Sequence, residues 1–223
     1  MTSAGHEPVL SIVGVLTVAV RSGFFADDQS AIRAGVTRDG FSYAGDPVTA
    51  GFRSIRQPGE AVSVLLLLSD GQVAHGDCAS VQYPGVGGRD PVFDGAAAID
   101  TIERHVAPLL RNLSLVDFRT PAALVDTLTV DGGPLHTAIR YGVTQALLDA
   151  VARSRRLSMA EVIRDEYETG VELVPVPMFV QSGDDMHDNV DKMVLKEADV
   201  LPHGLINHVE TKVATTARCS PST

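Results

Sequence analysis

Cysteine, positive charge and bilayer-length apolar runs are all scarce in this 223-residue chain. Two cysteines, Cys78 and Cys219, cannot build a disulfide framework. Their scarcity excludes a disulfide-stapled secreted scaffold and fits a reduced, cytoplasmic protein. Lys and Arg number 18 against 28 Asp and Glu, a formal net charge of −10. Phosphate binding is driven by Lys and Arg, and no basic stripe offsets the deficit, so a nucleic-acid partner is excluded. No apolar run reaches the ~20 residues that a membrane crossing needs. Leu10–Val20 (LSIVGVLTVAV) has the length of a signal-peptide core, but residues 1–9 carry no Lys or Arg, so the positive leader region is missing. Its β-branched content makes it a buried strand. Internal repeats are absent as well.

What is present suffices for a core, with 44% hydrophobic and 21% charged residues. After the first strand, Arg21–Gly51 is rich in Gly, Asp and Ser with scattered aromatics. It reads as a long surface loop anchored by Phe24 and Phe25. Phe52–Gln57 leads to Pro58-Gly59, a turn dipeptide. Ala61–Leu68 is a buried strand, Ser69-Asp70-Gly71 carries a hairpin signal, and Gln72–Ala79 returns. Tyr83–Pro91 is glycine-rich, but a phosphate loop would need Lys-Ser/Thr where this chain has Arg89-Asp90. It is a connection.

Helices follow. Phe93–Leu110 places Ala97, Ile102, Val106 and Leu109 near one face, with Pro108 close to its end. Pro121–Leu128 is short and opens on proline, whose missing N–H costs nothing there. Leu135–Arg155 repeats apolar residues at Leu135, Ile139, Val143, Leu147 and Val151, the signature of a buried helical face. Ser158 and Glu161 form a capping box that opens Met159–Tyr167, and Gly170 supports the stop. Residues 1–170 are thus an α+β domain.

Val174–Val180 begins something different. The run ends in the polar cluster Gln181-Ser182-Gly183-Asp184-Asp185. A helical stretch, Asp188–Glu197, leads to a short strand, Val200–Ile206, which carries Pro202-His203. This is the layout of two neighbouring strands of a TIM-type (β/α) barrel with chemistry at their C-terminal ends. Residues 171–213 are read as the start of that barrel and residues 214–223 as a frayed polar tail. A whole barrel needs ~250 residues by itself, so the barrel is incomplete within this chain.

Several motifs could carry chemistry. Gln181 can donate to a carboxylate and accept from an ammonium, although a glutamine at a strand end is more often a structural hydrogen bond. The His203 imidazole titrates near neutrality and can move a proton either way, or sit satisfied in a core. Asp184, Asp185 and Asp188 have DDxxD spacing, which holds Mg²⁺ and diphosphate in all-helical prenyl-diphosphate synthases; capping of a helix N-terminus is the bland alternative. His187, His203, His208 and Cys219 lack a specific zinc spacing. Cys78 is read as a buried thiol.

The run PVPMFVQSGDDMHDNVDKMVLKEADVLPHGLIN resembles the methylaspartate ammonia-lyase family of the enolase superfamily. Further resemblance lies in GFFADDQSAIRAG, DGFSYAGDPVTAGF, VAHGDCASVQYPGVGGRDPVF and LHTAIRYGVTQALLDAV, in the family's order. The resemblance implies that residues 1–170 are an N-terminal capping domain and that Arg21–Gly51 helps cover the active site. It implies removal of ammonia from 3-methylaspartate to give mesaconate, with Gln181 binding the substrate and His203 assisting as acid/base. It also implies a homodimer, and Mg²⁺ whose acidic ligands, like the principal Lys base, would lie on later strands beyond Thr223. Lys192, Lys196 and Lys212 do not match the base motif. The resemblance fades after Val213, which is read as a frameshift or premature stop, so the chain alone is expected to be inactive. A non-catalytic remnant or interaction module, and a Mg²⁺-diphosphate enzyme using DDxxD, stay open as alternatives.

Overall fold

The computed structural model describes residues 9–180 and 188–200. The chain divides into two compact units, Met1–Val171 and Glu172–Thr223.

The first unit is built on three antiparallel strands in the order β1 (Ile12–Asp27), β4 (Arg56–Leu68), β5 (Val73–Ala79). Between β1 and β4 lie α1 (Gln29–Arg33) and a small hairpin of β2 (Thr37–Asp39) and β3 (Ser42–Ala44). After β5 comes a helical segment of α2 (Gly95–Thr101), a π-helical turn (Ile102–Val106) and α3 (Ala107–Leu110). Next are α4 (Arg119–Asp126), the two-residue strands β6 (Thr129–Val130) and β7 (Gly133–Pro134), α5 (Thr137–Arg155) and α6 (Met159–Glu166). The all-helical diphosphate-synthase reading is incompatible with this sheet.

The sheet forms where strict alternation dictates it. Val62, Val64, Leu66 and Leu68 are buried, and the residues between them are only half-buried. Cys78, Gly76 and Ala74 pair with Val62, Val64 and Leu66 and continue the same buried face. Helix α5 lies on that face with Ile139, Val143, Ala146, Leu147, Ala150 and Val151 buried, as the periodicity predicts. Two glycines permit the close approach. A Cβ at Gly142 would sit 2.5 Å from both the backbone nitrogen and Sγ of Cys78. A Cβ at Gly76 would sit 2.6 Å from the nitrogen of Ala146. The same helix covers the outer edge of β5: Gln145 accepts from the N–H of Asp77 (3.2 Å) and Asp149 from that of His75 (3.1 Å). The Asp-Gly signal is a hairpin, with Gly71 at φ +87° and the N–H of Leu68 bonded to the carbonyl of Gln72.

Several expectations are corrected. Pro58-Gly59 is no turn, because β4 runs straight through it with Pro58 opposite Phe25. Pairing with β5 begins only at Ala61, so Pro58 has a single neighbouring strand and its missing N–H is tolerated. Gly59 faces a register irregularity in β1 between Arg21 and Phe25; a Cβ there would meet Ser22 Oγ and lie 2.7 Å from the carbonyl oxygen of Phe24. Beyond that irregularity Phe25, Ala26 and Asp27 pair with β4, so the first strand is longer than its apolar run.

In the segment Gly95–Leu110 the buried positions are Gly95, Ala98, Ile102, Val106, Ala107 and Leu110, not Ala97 or Leu109. Proline removes one helical hydrogen bond and crowds the preceding turn; the π-helical turn ahead of Pro108 absorbs this and resets the face. Helix α6 has its capping box, Glu161 accepting from the N–H of Ser158 (2.7 Å) and Ser158 Oγ from the N–H of Glu161 (3.2 Å). After it the chain turns left-handed twice, at Glu168 (φ +49°) and at the expected Gly170 (φ +65°).

In the second unit α7 (Asp188–Leu195) lies between two segments joined by a parallel bridge, Phe179 to Val200. The N–H of Val200 bonds to the carbonyl of Met178 at 3.1 Å, and Asp199 accepts from the N–H of Met178 at 2.7 Å. Among the described residues the expected strand Val174–Val180 is reduced to this bridge; Pro175 and Pro177 offer no donors to a longer ladder.

Candidate functional site

Gln181 and His203 lie outside the described residues, as do His187, His208, Cys219 and the DDxxD aspartates other than Asp188. Asp188 is the first residue of α7, where a carboxylate suits the helix dipole. Cys78 is fully buried, and burial pushes its thiol up to about 12, so it is packing material and no nucleophile.

The polar centre that the structure assembles is at one end of the sheet, where β1 ends, β4 begins and the chain leaves β5. Asp27 and Asp28 are 1% and 0% exposed, and Gln57 is buried beside them. Asp27 takes a two-pronged ion pair from Arg56, Nε at 2.7 Å and Nη2 at 2.8 Å. Its Oδ2 also accepts from Gln82 Nε2 at 3.1 Å. Arg56 Nη1 donates to the carbonyl of Phe41 at 2.9 Å. The rings of Phe25, Phe41 and Tyr43 surround the guanidinium at 5.8, 5.2 and 5.1 Å. The hydrogen bonds to Asp27 hold the Arg56 cation even more firmly protonated than usual.

Asp28 caps α1. Its Oδ1 accepts from the N–H groups of Ser30 (3.1 Å) and Ala31 (3.2 Å) and from the hydroxyl of Thr49 (2.6 Å). Its Oδ2 accepts from the N–H groups of Val48 (2.7 Å) and Thr49 (2.9 Å). Burial pushes this carboxyl upward, but the hydrogen bonds from Thr49, Val48 and Ala31 outweigh burial and hold it at about 2.

This arrangement binds and orients; it does not transfer protons. Both aspartates have their oxygens occupied by donors. Gln82 turns its side-chain NH₂ toward Asp27, which leaves its side-chain Oε1 as an acceptor, while its backbone carbonyl accepts from the N–H of Asp27 at 2.9 Å. Among the described residues no group of three or more His, Cys, Asp or Glu side chains could hold a metal ion. Among them, too, no helix is long and apolar enough to cross a membrane.

Sequence reasoning missed this centre. Phe24, expected to anchor the loop, is 65% exposed; the anchors are Asp27, Asp28 and Arg56. The available signal was the pair of adjacent acids at the end of an apolar strand, with Ser30 and Ala31 placed to be capped by Asp28.

The comparisons with known proteins agree on one class. The chain superposes on the crystal structure of the Mg-complex of β-methylaspartase from Clostridium tetanomorphum with a TM-score of 0.80 at 58% identity, over 91% of this chain and 49% of that one. It superposes on Citrobacter amalonaticus methylaspartate ammonia lyase containing (2S,3S)-3-methylaspartic acid with a TM-score of 0.79 at 50% identity, over 91% of this chain and 49% of that one. The family models for the N-terminus and C-terminus of methylaspartate ammonia-lyase match residues 10–168 and 170–219. The chain belongs to the methylaspartate ammonia-lyase family. It is 52% identical over 205 residues to methylaspartate ammonia-lyase 2 of Carboxydothermus hydrogenoformans. It spans about half the length of the curated relatives it matches.

Proposed function

We propose that the chain contributes to a carbon–nitrogen lyase that removes ammonia from 3-methylaspartate to give mesaconate. In this reading residues 1–170 are the capping domain and residues 171–213 open a (β/α) barrel. The observation that carries it is the parallel bridge between Phe179 and Val200 with α7 between them. A parallel pair joined through a helix is the unit from which such barrels are built, and their chemistry sits at the C-terminal strand ends. Gln181 and His203 are the residues that follow, and each fits its role. The Gln181 carboxamide binds the substrate by donating to a carboxylate and accepting from the ammonium. His203 exchanges a proton with the substrate near neutral pH. The segment 21–51, fastened at Asp27 and Asp28, covers the substrate. Mg²⁺ and a Lys base complete the reaction in this reading. The assembly is a homodimer in the cytoplasm.

The 223 residues assayed alone therefore produce no mesaconate with Mg²⁺ and 3-methylaspartate. Joined to the remaining half of the Clostridium tetanomorphum relative they do, and Gln181→Ala or His203→Ala abolishes that activity. A folded hybrid without activity would sink the reading and leave the interaction-module alternative. Activity of the unextended chain would sink the claim of inactivity.

A further inference from the structure

We propose that Arg56 is a positioning residue, a latch that holds the β2–β3 hairpin down on the end of the sheet. This rests on the reading of that segment as a cover over the active site. The hairpin has three residues in each strand and its β2 side chains are all exposed. Two-stranded ribbons of this size are marginal in water, so something outside the hairpin must keep it ordered.

The ties converge on one cation. Arg56 donates to the Phe41 carbonyl at 2.9 Å and packs against the faces of Phe41 and Tyr43. Phe25 reaches the same point, edge-on to Phe41 at 5.3 Å. The guanidinium is itself immobilised by its two-pronged pair with Asp27, which is 2% exposed at the side chain. A lysine cannot replace it. One ammonium cannot span both carboxylate oxygens, reach a third acceptor and still present a flat face to rings.

The base of the segment is fastened separately. Asp28 secures Val48 and Thr49 without using Arg56. Release of the latch therefore frees residues 37–44 while the ends of the segment and the sheet stay in place.

Hydrogen exchange of the full chain, read by mass spectrometry, tests this. Arg56→Lys is expected to speed exchange in residues 37–44 by about ten-fold or more and to leave residues 61–68 unchanged. Phe41→Leu, at an exposed position, is expected to speed exchange in the same window without touching the sheet. A plain structural role would instead lower protection throughout β4. Unchanged exchange at 37–44 in either variant, or an equal acceleration at 61–68, overturns the latch. If Arg56→Lys does not fold, Phe41→Leu alone decides. Exchange is read without mesaconate formation, so failure of the lyase reading leaves the latch standing, and failure of the latch leaves the lyase reading untouched.

Discussion

Replacing Asp28 by asparagine keeps the shape of the side chain and changes one atom. The consequences follow from five donors converging on two oxygens. An amide turns one oxygen into NH₂. If it replaces Oδ2, it faces the N–H groups of Val48 and Thr49; if it replaces Oδ1, it faces those of Ser30 and Ala31. Two backbone donors, buried or partly buried, lose their acceptor either way, at about 1–3 kcal/mol each. The displaced pKa gives a second route to the magnitude. A carboxyl held at about 2, against an ordinary value near 3.9, contributes about 2.5 kcal/mol at neutral pH. The expected loss is therefore roughly 3–5 kcal/mol, a large share of the ~5–15 kcal/mol that a domain has. Urea unfolding of the full chain at neutral pH, followed by circular dichroism, measures it.

The acid limb gives the sign. The folded state binds this proton more weakly than the unfolded state does, so the contribution is complete above about pH 5, falls away as pH drops through about 2 and is gone at about pH 1. The wild-type chain should lose stability across that window by about 2.5 kcal/mol more than Asp28→Asn. A substitution cost under about 1 kcal/mol, or parallel acid profiles, would refute the role given to Asp28.

Other outcomes follow from the same geometry. Gly142→Ala places a methyl 2.5 Å from Cys78 backbone nitrogen and is expected to cost about 3 kcal/mol in urea unfolding; a neutral result would mean that α5 can lift off β5 freely. Ser158→Ala removes one half of the capping box and should lower stability by about 1 kcal/mol, with Ser158→Asn restoring most of it. In a Cys219→Ser background Cys78 should resist thiol reagents in the folded chain and react on unfolding; prompt labelling in native buffer would contradict its burial.

The sequence was most legible where one periodicity acted alone. The four-residue recurrence in α5 and the Ser158 capping box depend on nearby residues, and the structure reproduces both. The Asp-Gly hairpin is also local. Misreadings fell where a distant segment decided the outcome. Pro58-Gly59 has turn chemistry, yet Phe25 on β1 pairs with Pro58 and keeps it extended. Arg56 and Asp27 stand far apart in the chain, and only the β1–β4 register makes them partners. The buried face of residues 95–110 was misassigned at both ends, because a period of 3.6 cannot anticipate a π-helical turn. Gln181 and His203 were chosen by family resemblance, and their roles belong to the proposal.

The side-chain cover on β5 sets the direction in which this sheet can grow. With Gln145 and Asp149 occupying its amides, β5 offers little to an incoming strand. A strand that joined this sheet would add along β1, whose start is already bonded to the segment after α3, the N–H of Ile12 to the carbonyl of Leu113 at 3.0 Å and the N–H of Asn112 to the carbonyl of Ile12 at 2.7 Å. Growth from one side only is self-limiting. Two copies that join through their β1 strands bring two capped borders to the outside, and no third copy can continue the ladder, whereas a sheet open on both sides would propagate into a fibre.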